Sequence, residues 1–463
     1  MDNKNNMFAT ESIGKLLVKM ATPAILAQLV NMLYNIVDRV FIGKIPEIGT
    51  LALTGVGVTF PIIILISAFA SLIGMGGSPR AAIKMGADKY DEAEEILGNC
   101  FITLIFISIT LTVFFGIFHE TLLLKFGASE NTIIYAKEYI SIYILGTIFV
   151  QISLGLNTFI SCQGFPKISM KTIIIGAILN ILFDFIFIKI FNMGVKGAAL
   201  ATVIAQSISA IWVLRFLIFS KKSKLKIKKK YFKIKKEVLL PVLALGISPF
   251  IMQSTESLLN ISFNSSLAKY GGDIAVGTMT ILATIMQCIN LPCSGLGQGG
   301  QPIISYNYGA GNKERVQKTF KLLITSSLIF TTTAWLIIML KPEIIITIFA
   351  KKGEGIVDYA SWAIKIYLFG MFMMGAQYSC QQTFVALGRA KESLFLAILR
   401  KIILLIPLIY ILPIFMENKV FAVFVAEPIA DILAAITTVS LFIFTSKKIY
   451  KEMDSRKNTN KTK

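Results

Sequence analysis

The chain has 463 residues, 55% of them hydrophobic and only 16% charged, and its mean hydropathy is +0.71. A soluble domain cannot hide that much apolar side chain, because its surface needs charge, so a soluble fold is excluded. The net charge of +20 does not point to nucleic acid, since ten lysines crowd into 221–236 between two apolar runs and seven Lys/Arg fall in 447–463, the juxtamembrane pattern of a membrane protein.

Long, nearly uncharged runs approach or exceed the roughly 18–20 residues that cross a bilayer as a helix. They do not alternate as barrel strands do. Twelve spans are predicted, near 15–43, 51–78, 93–118, 133–161, 168–191, 196–219, 238–268, 274–303, 316–340, 360–386, 393–416 and 420–446. The first is too long for a signal-peptide core and lacks a convincing cleavage site. It carries Asp38 in Asn31-Met-Leu-Tyr-Asn-Ile-Val-Asp-Arg-Val-Phe-Ile-Gly43. The fifth carries Asn180 and Asp184, which share one helix face, and the sixth carries Thr202. Beyond the lysine run, the seventh span carries Glu256 and the twelfth carries Glu427 and Asp431.

With the N-terminus inside, the segments 1–19, 79–92, 161–171, 215–236, 302–321, 388–401 and 446–463 hold 34 of the 46 Lys and Arg. That asymmetry predicts that both termini and the lysine run face the cytoplasm. Arg215 reads as a cation snorkelling to the interface. The five scattered cysteines, Cys100, Cys162, Cys288, Cys293 and Cys380, form no CxxC pair and indicate neither a disulfide framework nor a metal knuckle. The lone His119 argues against His-based metal or nucleophilic chemistry, so no enzyme and no cofactor are expected.

An internal repeat is visible. At an offset of 223, Gly74, Gly76, Gly77, Pro79, Gly86 and Ala87 meet Gly297, Gly299, Gly300, Pro302, Gly309 and Ala310. Six spans separate the copies, so the halves share one orientation and are related by an axis along the membrane normal. The predicted fold is an all-α polytopic membrane protein of twelve transmembrane helices in two pseudo-symmetric six-helix lobes. An N-terminal lobe is expected at 1–220, a basic cytoplasmic linker at 221–236, a C-terminal lobe at 237–446 and a basic tail at 447–463. Two like bundles facing each other favour alternating access. Gly295-Leu-Gly-Gln-Gly-Gly300 formally fits GxGxxG, but no βαβ unit surrounds it, so it reads as small-residue helix packing.

Acids inside a bilayer are costly and therefore informative. Asp38 and Asp184 both fall in the outer half of their spans. Together with Asn180 and Thr202 they could surround a proton or a hard monovalent ion, which prefers oxygen ligands. Two close carboxyls titrate as a coupled pair. The alternative is structural: Asp38 paired with its neighbour Arg39, and Asp184 a satisfied buried acid. Adjacent residues do not face each other on a helix. The repeat places Phe263 and Leu408 at the positions equivalent to Asp38 and Asp184, so the acids are peculiar to one half. Glu256 is a candidate substrate or ion contact. Glu427 and Asp431 read as packing against polar neighbours, and the 17 Met and 34 Phe as helix packing that also suits a pliable cavity for organic cations.

These features together resemble the multidrug and toxic compound extrusion (MATE) family over nearly the whole chain. The residues that carry the resemblance are Pro23 and Asp38, the Gly-Gly-x-Pro…Gly-Ala segments at 76–87 and 299–310, Leu179-Asn-Ile-Leu-Phe-Asp184, and Gly194-Val-Lys-Gly-Ala-Ala-Leu-Ala-Thr202. The resemblance implies export of lipophilic organic cations in exchange for H+ or Na+. It implies a cation site at Asp38, Asn180, Asp184 and Thr202 with Tyr139, and a first span that bends at Pro23. It also places Glu256 where many members carry an acid, whereas the tenth span lacks a central acid and has only Lys365 near its outer start. A monomer in the cell's inner membrane is expected. The rival reading is a lipid-linked oligosaccharide or polysaccharide flippase, which calls for a basic cavity.

Overall fold

The computed structural model describes residues 7–349 and 355–459. The last four residues of the basic tail, 460–463, lie outside them. Among the described residues nine helices are long and apolar enough to cross a membrane, two more spans are bent pairs, and Gly272 divides the 74-residue stretch Lys236–Gly309 in two, which makes twelve.

We number the spans α1 (Ile13–Gly43), α2 (Gly49–Gly86), α3 (Tyr90–Lys125), α4 (Ile133–Leu145 with Thr147–Cys162), α5 (Pro166–Ile190) and α6 (Gly194–Phe219). The second lobe holds α7 (236–271), α8 (273–309), α9 (Lys313–Leu340), α10 (Ile356–Tyr367 with Met371–Ala386), α11 (Ala390–Phe415) and α12 (Lys419–Thr459). A short helix, Met7–Thr10, precedes them. The fold is thus the expected all-α, twelve-helix, two-lobe membrane protein. Gly272 adopts φ +64°, a left-handed conformation open to glycine at no steric cost, and this residue ends α7.

Many helices outrun the bilayer. The 38 residues of α2 rise about 57 Å against a hydrocarbon core of about 30 Å. Polarity is inverted relative to a soluble bundle. Large apolar side chains at a helical spacing on α3, Phe106, Ile109, Val113 and Ile117, are exposed and face lipid, while Asn99, Gln151, Asn157 and Ser153 are buried. Two features are absent from a hydropathy reading. Spans α4 and α10 are bent by 58° and 47°, and α5 and α11 contain π-helical turns at Phe185–Ile190 and Leu399–Leu405, a local form found often at functional sites.

The lysine run is not a solvated tether. It lies as a strap across the end of α3 and the α4–α5 turn. The Gln163 side-chain oxygen accepts hydrogen bonds from Ser223 Oγ (3.1 Å), Lys224 N (2.7 Å) and Leu225 N (2.9 Å). Lys226 N donates to Glu94, Lys228 pairs with Glu94, and Lys235 N donates to Asn99 Oδ1 at 2.7 Å. Leu225 is fully buried and Phe232 packs on Phe101. The Tyr231 hydroxyl donates to Asp91 at 3.0 Å, and with Lys230 it holds that carboxyl below the usual range. Gln163→Ala removes the acceptor of three donors and should cost about 1–3 kcal/mol locally. The expected outcome is rapid trypsin cleavage within 221–236, where the wild-type chain resists, read by limited proteolysis in detergent.

Candidate functional site

The acids singled out in the first half converge. α5 presents Asn180 and Asp184 one turn apart on one face, and both are buried. Its π-helical turn starts at Phe185, directly after Asp184. Asp38, from the outer half of α1, brings its carboxyl within hydrogen-bonding reach of that of Asp184. Thr202 of α6 donates to the Ala198 carbonyl at 3.1 Å and accepts from Asn180 Nδ2 at 3.3 Å. The hydroxyl of buried Tyr139, from the first segment of α4, reaches Thr202.

These bonds use the donors and leave acceptors behind. Asn180 spends its amide N–H on Thr202. Its Oδ1, both carboxylate oxygens of Asp184 and Oδ1 of Asp38 are buried without a donor. Buried oxygens without partners are costly. Four of them, drawn from helices α1 and α5, form a cradle of acceptors, the donor set that suits a proton or a hard cation. Arg39 does not supply that charge: its guanidinium stacks over Phe60, 4.5 Å from the ring centroid.

The cradle adjoins a cavity of about 540 Å³. Asn180, Thr202, Tyr34 and Tyr143 belong to its wall, as does Pro23 from mid-α1. Pro23 lacks the N–H that would bind the Lys19 carbonyl, so the ladder of α1 is interrupted at this point. The second lobe closes the cavity with amides, Gln253, Gln287, Gln298 and Gln301. No charged side chain lines it among the described residues. Tyr34 and Tyr143 were not anticipated. Tyr34 lies one turn before Asp38 on α1, and that spacing was the available signal.

Glu256 sits elsewhere, in the second lobe. Lys401 of α11 pairs with it and also donates to the Met252 carbonyl at 2.6 Å. The lysine side chain is 5% exposed and that of Glu256 55%. Beside this pair, Arg400 donates to Asp431 at 2.7 Å and to Glu427 at 3.0 Å. Both acids are buried. Counting Arg400 and Lys401 as cytoplasmic loop cations was therefore wrong. They lie ten and eleven residues into α11, about 15 Å along its axis, so two of the 34 cations assigned to the inner face are intramembrane. Glu427 and Asp431 are counter-ions, a firmer role than polar packing.

Among the described glycines, the lobe-to-lobe contacts lie toward the half that carries the strap. There Gly295 and Gly299 of α8 meet Ile25 and Ala21 of α1, and Gly246 of α7 meets Leu72 of α2. The ring pairs Phe69–Phe250 (4.9 Å) and Phe8–Tyr306 (5.3 Å) bridge the lobes on the same side. No described glycine joins the lobes in the opposite half.

A sequence model of the MatE family matches residues 23–186 and 249–411. The multidrug export protein MepA of Staphylococcus haemolyticus (strain JCSC1435) is 25% identical over 437 residues, spanning 94% of this chain and 95% of that protein. MepA of Staphylococcus aureus (strain N315) is 25% identical over 418 residues, with 89% and 90% covered. In fold the chain is similar to a solved structure described as MATE in the bent conformation, with a TM-score of 0.91 at 21% identity, covering 98% of this chain and 100% of that one. A structure described as the outward-facing conformation of a multidrug resistance MATE family transporter of the MOP superfamily gives a TM-score of 0.89 at 21% identity, with 97% and 100% covered.

Proposed function

The chain belongs to the MatE family, and from that premise we propose that it is an efflux antiporter that exports lipophilic organic cations in exchange for an inward-moving H+ or Na+. The observation that carries this reading is the cradle of four donor-less oxygens from Asp38, Asn180 and Asp184, placed beside a neutral, amide-rich cavity. Cation entry to the cradle satisfies those oxygens and draws Asp38 of α1 toward α5. Pro23, where α1 lacks a backbone bond, is the point at which the helix can bend in response. α1 forms part of the cavity wall, so its movement displaces the cargo.

Cation and cargo then oppose each other by linkage, each lowering the other's affinity by the same factor. Exchange of one ion for one monovalent cargo moves no net charge. The drive is the ion gradient, about 1.4 kcal/mol per tenfold ratio. Two ions per cargo bring in the membrane potential, about 2.3 kcal/mol per charge per 100 mV. In this reading both termini and the strap lie in the cytoplasm, the protein works as a monomer in the inner membrane, and the closed strap side makes the described state outward-facing. A flippase for phosphate-bearing lipids is disfavoured: the intramembrane cations Arg400 and Lys401 are each held by acids and present no free positive charge to a headgroup.

Vesicles loaded with ethidium test the reading. Efflux is expected under an imposed pH gradient or an imposed sodium gradient, each applied without the other, and the arm that drives it names the ion. Efflux that ignores both gradients overturns coupling.

A further inference from the structure

We propose that the strap-side closure is a glycine seam, a backbone-to-backbone contact between the lobes whose parting opens the cavity to the cytoplasm. A Cβ added to Gly86 of α2 would lie 2.8 Å from the Tyr306 carbonyl carbon and 3.0 Å from Ala310 N. One added to Gly309 of α8 would lie 2.9 Å from Ile83 Cα. These contacts are reciprocal: 83–86 of the first lobe faces 306–310 of the second. The same holds about three helical turns deeper. A Cβ on Gly76 would lie 3.0 Å from Gly246 N of α7, and one on Gly299 would lie 2.5 Å from Ala21 Cα of α1. Gly76 and Gly299, like Gly86 and Gly309, are equivalent positions of the repeat at the offset of 223. The seam therefore obeys the pseudo-two-fold axis that relates the lobes.

The chemistry suits a contact that forms and breaks. Small residues let helix backbones approach without interlocking side chains. Two such surfaces separate as rigid bodies without repacking either lobe, as hinge and shear motions require. Interdigitated side chains would resist that parting. A latch lies over the seam. Phe8 is buried against Tyr306, its carbonyl accepts from Asn307 Nδ2 at 3.1 Å and Arg315 Nε at 3.0 Å, and Arg315 Nη2 reaches the Glu11 carbonyl at 2.7 Å. These bonds pin the start of the first lobe to the second lobe on the closed side.

Accessibility measures the seam directly. Ser161 lines the cavity at its strap-side end. A cysteine placed there (S161C, with C162S and C288S removing the cavity-lining and the exposed native thiols) is labelled in membrane vesicles by a charged, impermeant thiosulfonate. Gly86→Ala and Gly309→Ala wedge the seam, so labelling from the strap face is expected to rise about tenfold, equivalent to a tenfold shift toward the open state. Gly14→Ala, where no atom lies within 4 Å, should label as the parent does. Folded Gly86→Ala and Gly309→Ala proteins that label at the parent rate overturn the proposal. If neither folds, Arg315→Ala, which releases the Phe8 and Glu11 carbonyls and inserts no atom in the seam, should raise the same rate. An unchanged rate there is equally fatal. Labelling requires no transport, so a seam that opens in a protein moving no ethidium separates the gate from the antiport reading on which its role rests.

Discussion

Exchanging Asp184 for asparagine is expected to reduce ethidium efflux to background, a loss of more than tenfold or about 1.4 kcal/mol of coupling, while leaving the protein inserted and folded. Asparagine keeps the volume of the side chain and removes its charge. Asp184 is fully buried and neither carboxylate oxygen accepts from an N–H or hydroxyl donor, so the substitution disturbs only the carboxyl contact with Asp38 and leaves a neutral group of the same shape in a buried place. The melting temperature should hold or rise. Coupling is lost because an amide can neither release a proton nor neutralise a sodium ion. Asp38→Asn should behave alike, since the two carboxyls act as one pair, and the double variant should be no worse than either single one. Undiminished drug resistance in cells carrying Asp184→Asn overturns the assignment of the cradle as the coupling site.

The sequence exposed the cradle because charge inside an apolar run is rare and its cost narrows the explanation. Asp38 and Asp184 stood out for that reason, Asn180 because it shares a helix face with Asp184 and Thr202 through the family resemblance, and the absence of acids at Phe263 and Leu408 indicated which lobe to examine. Tyr34 and Tyr143 did not stand out, because an aromatic ring in a membrane helix reads as packing until its neighbours are known. Arg400 and Lys401 were misplaced for a related reason. The uncharged run begins only at Ile402, so a hydropathy boundary falls on the cations, and the acids that make their burial tolerable lie on α12 and α7, remote in sequence. The lysine run read simply as a basic linker because its anchors, Gln163, Glu94 and Asn99, are 60 or more residues upstream. The glycine repeat was legible as a repeat, but its meeting across the pseudo-axis was not, since a period gives no information about which faces touch.

Replacing Arg400 by methionine is expected to be among the most damaging single changes to folding. One guanidinium serves two carboxylates on α12, whose side chains are 5% and 2% exposed. Removing it strands two like charges one turn apart in a medium that cannot solvate them. Breaking a buried pair from one side costs on the order of 3–5 kcal/mol, most of the margin of a typical folded protein. The expected result is loss of the monodisperse peak when a fluorescent fusion is run on size exclusion. Neutralising the partners at the same time should recover it: Arg400→Met with Glu427→Gln and Asp431→Asn leaves no unpaired charge, and buried ion groups replaced together are often tolerated. Lysine at 400 should rescue only partly, because a point ammonium cannot reach both acids in the forked geometry of arginine. If the triple variant also exports ethidium at the parent rate, the network is a clamp joining α11 to α12, and coupling resides in the first lobe. If Arg400→Met alone folds and exports like the parent, the clamp carries no such burden.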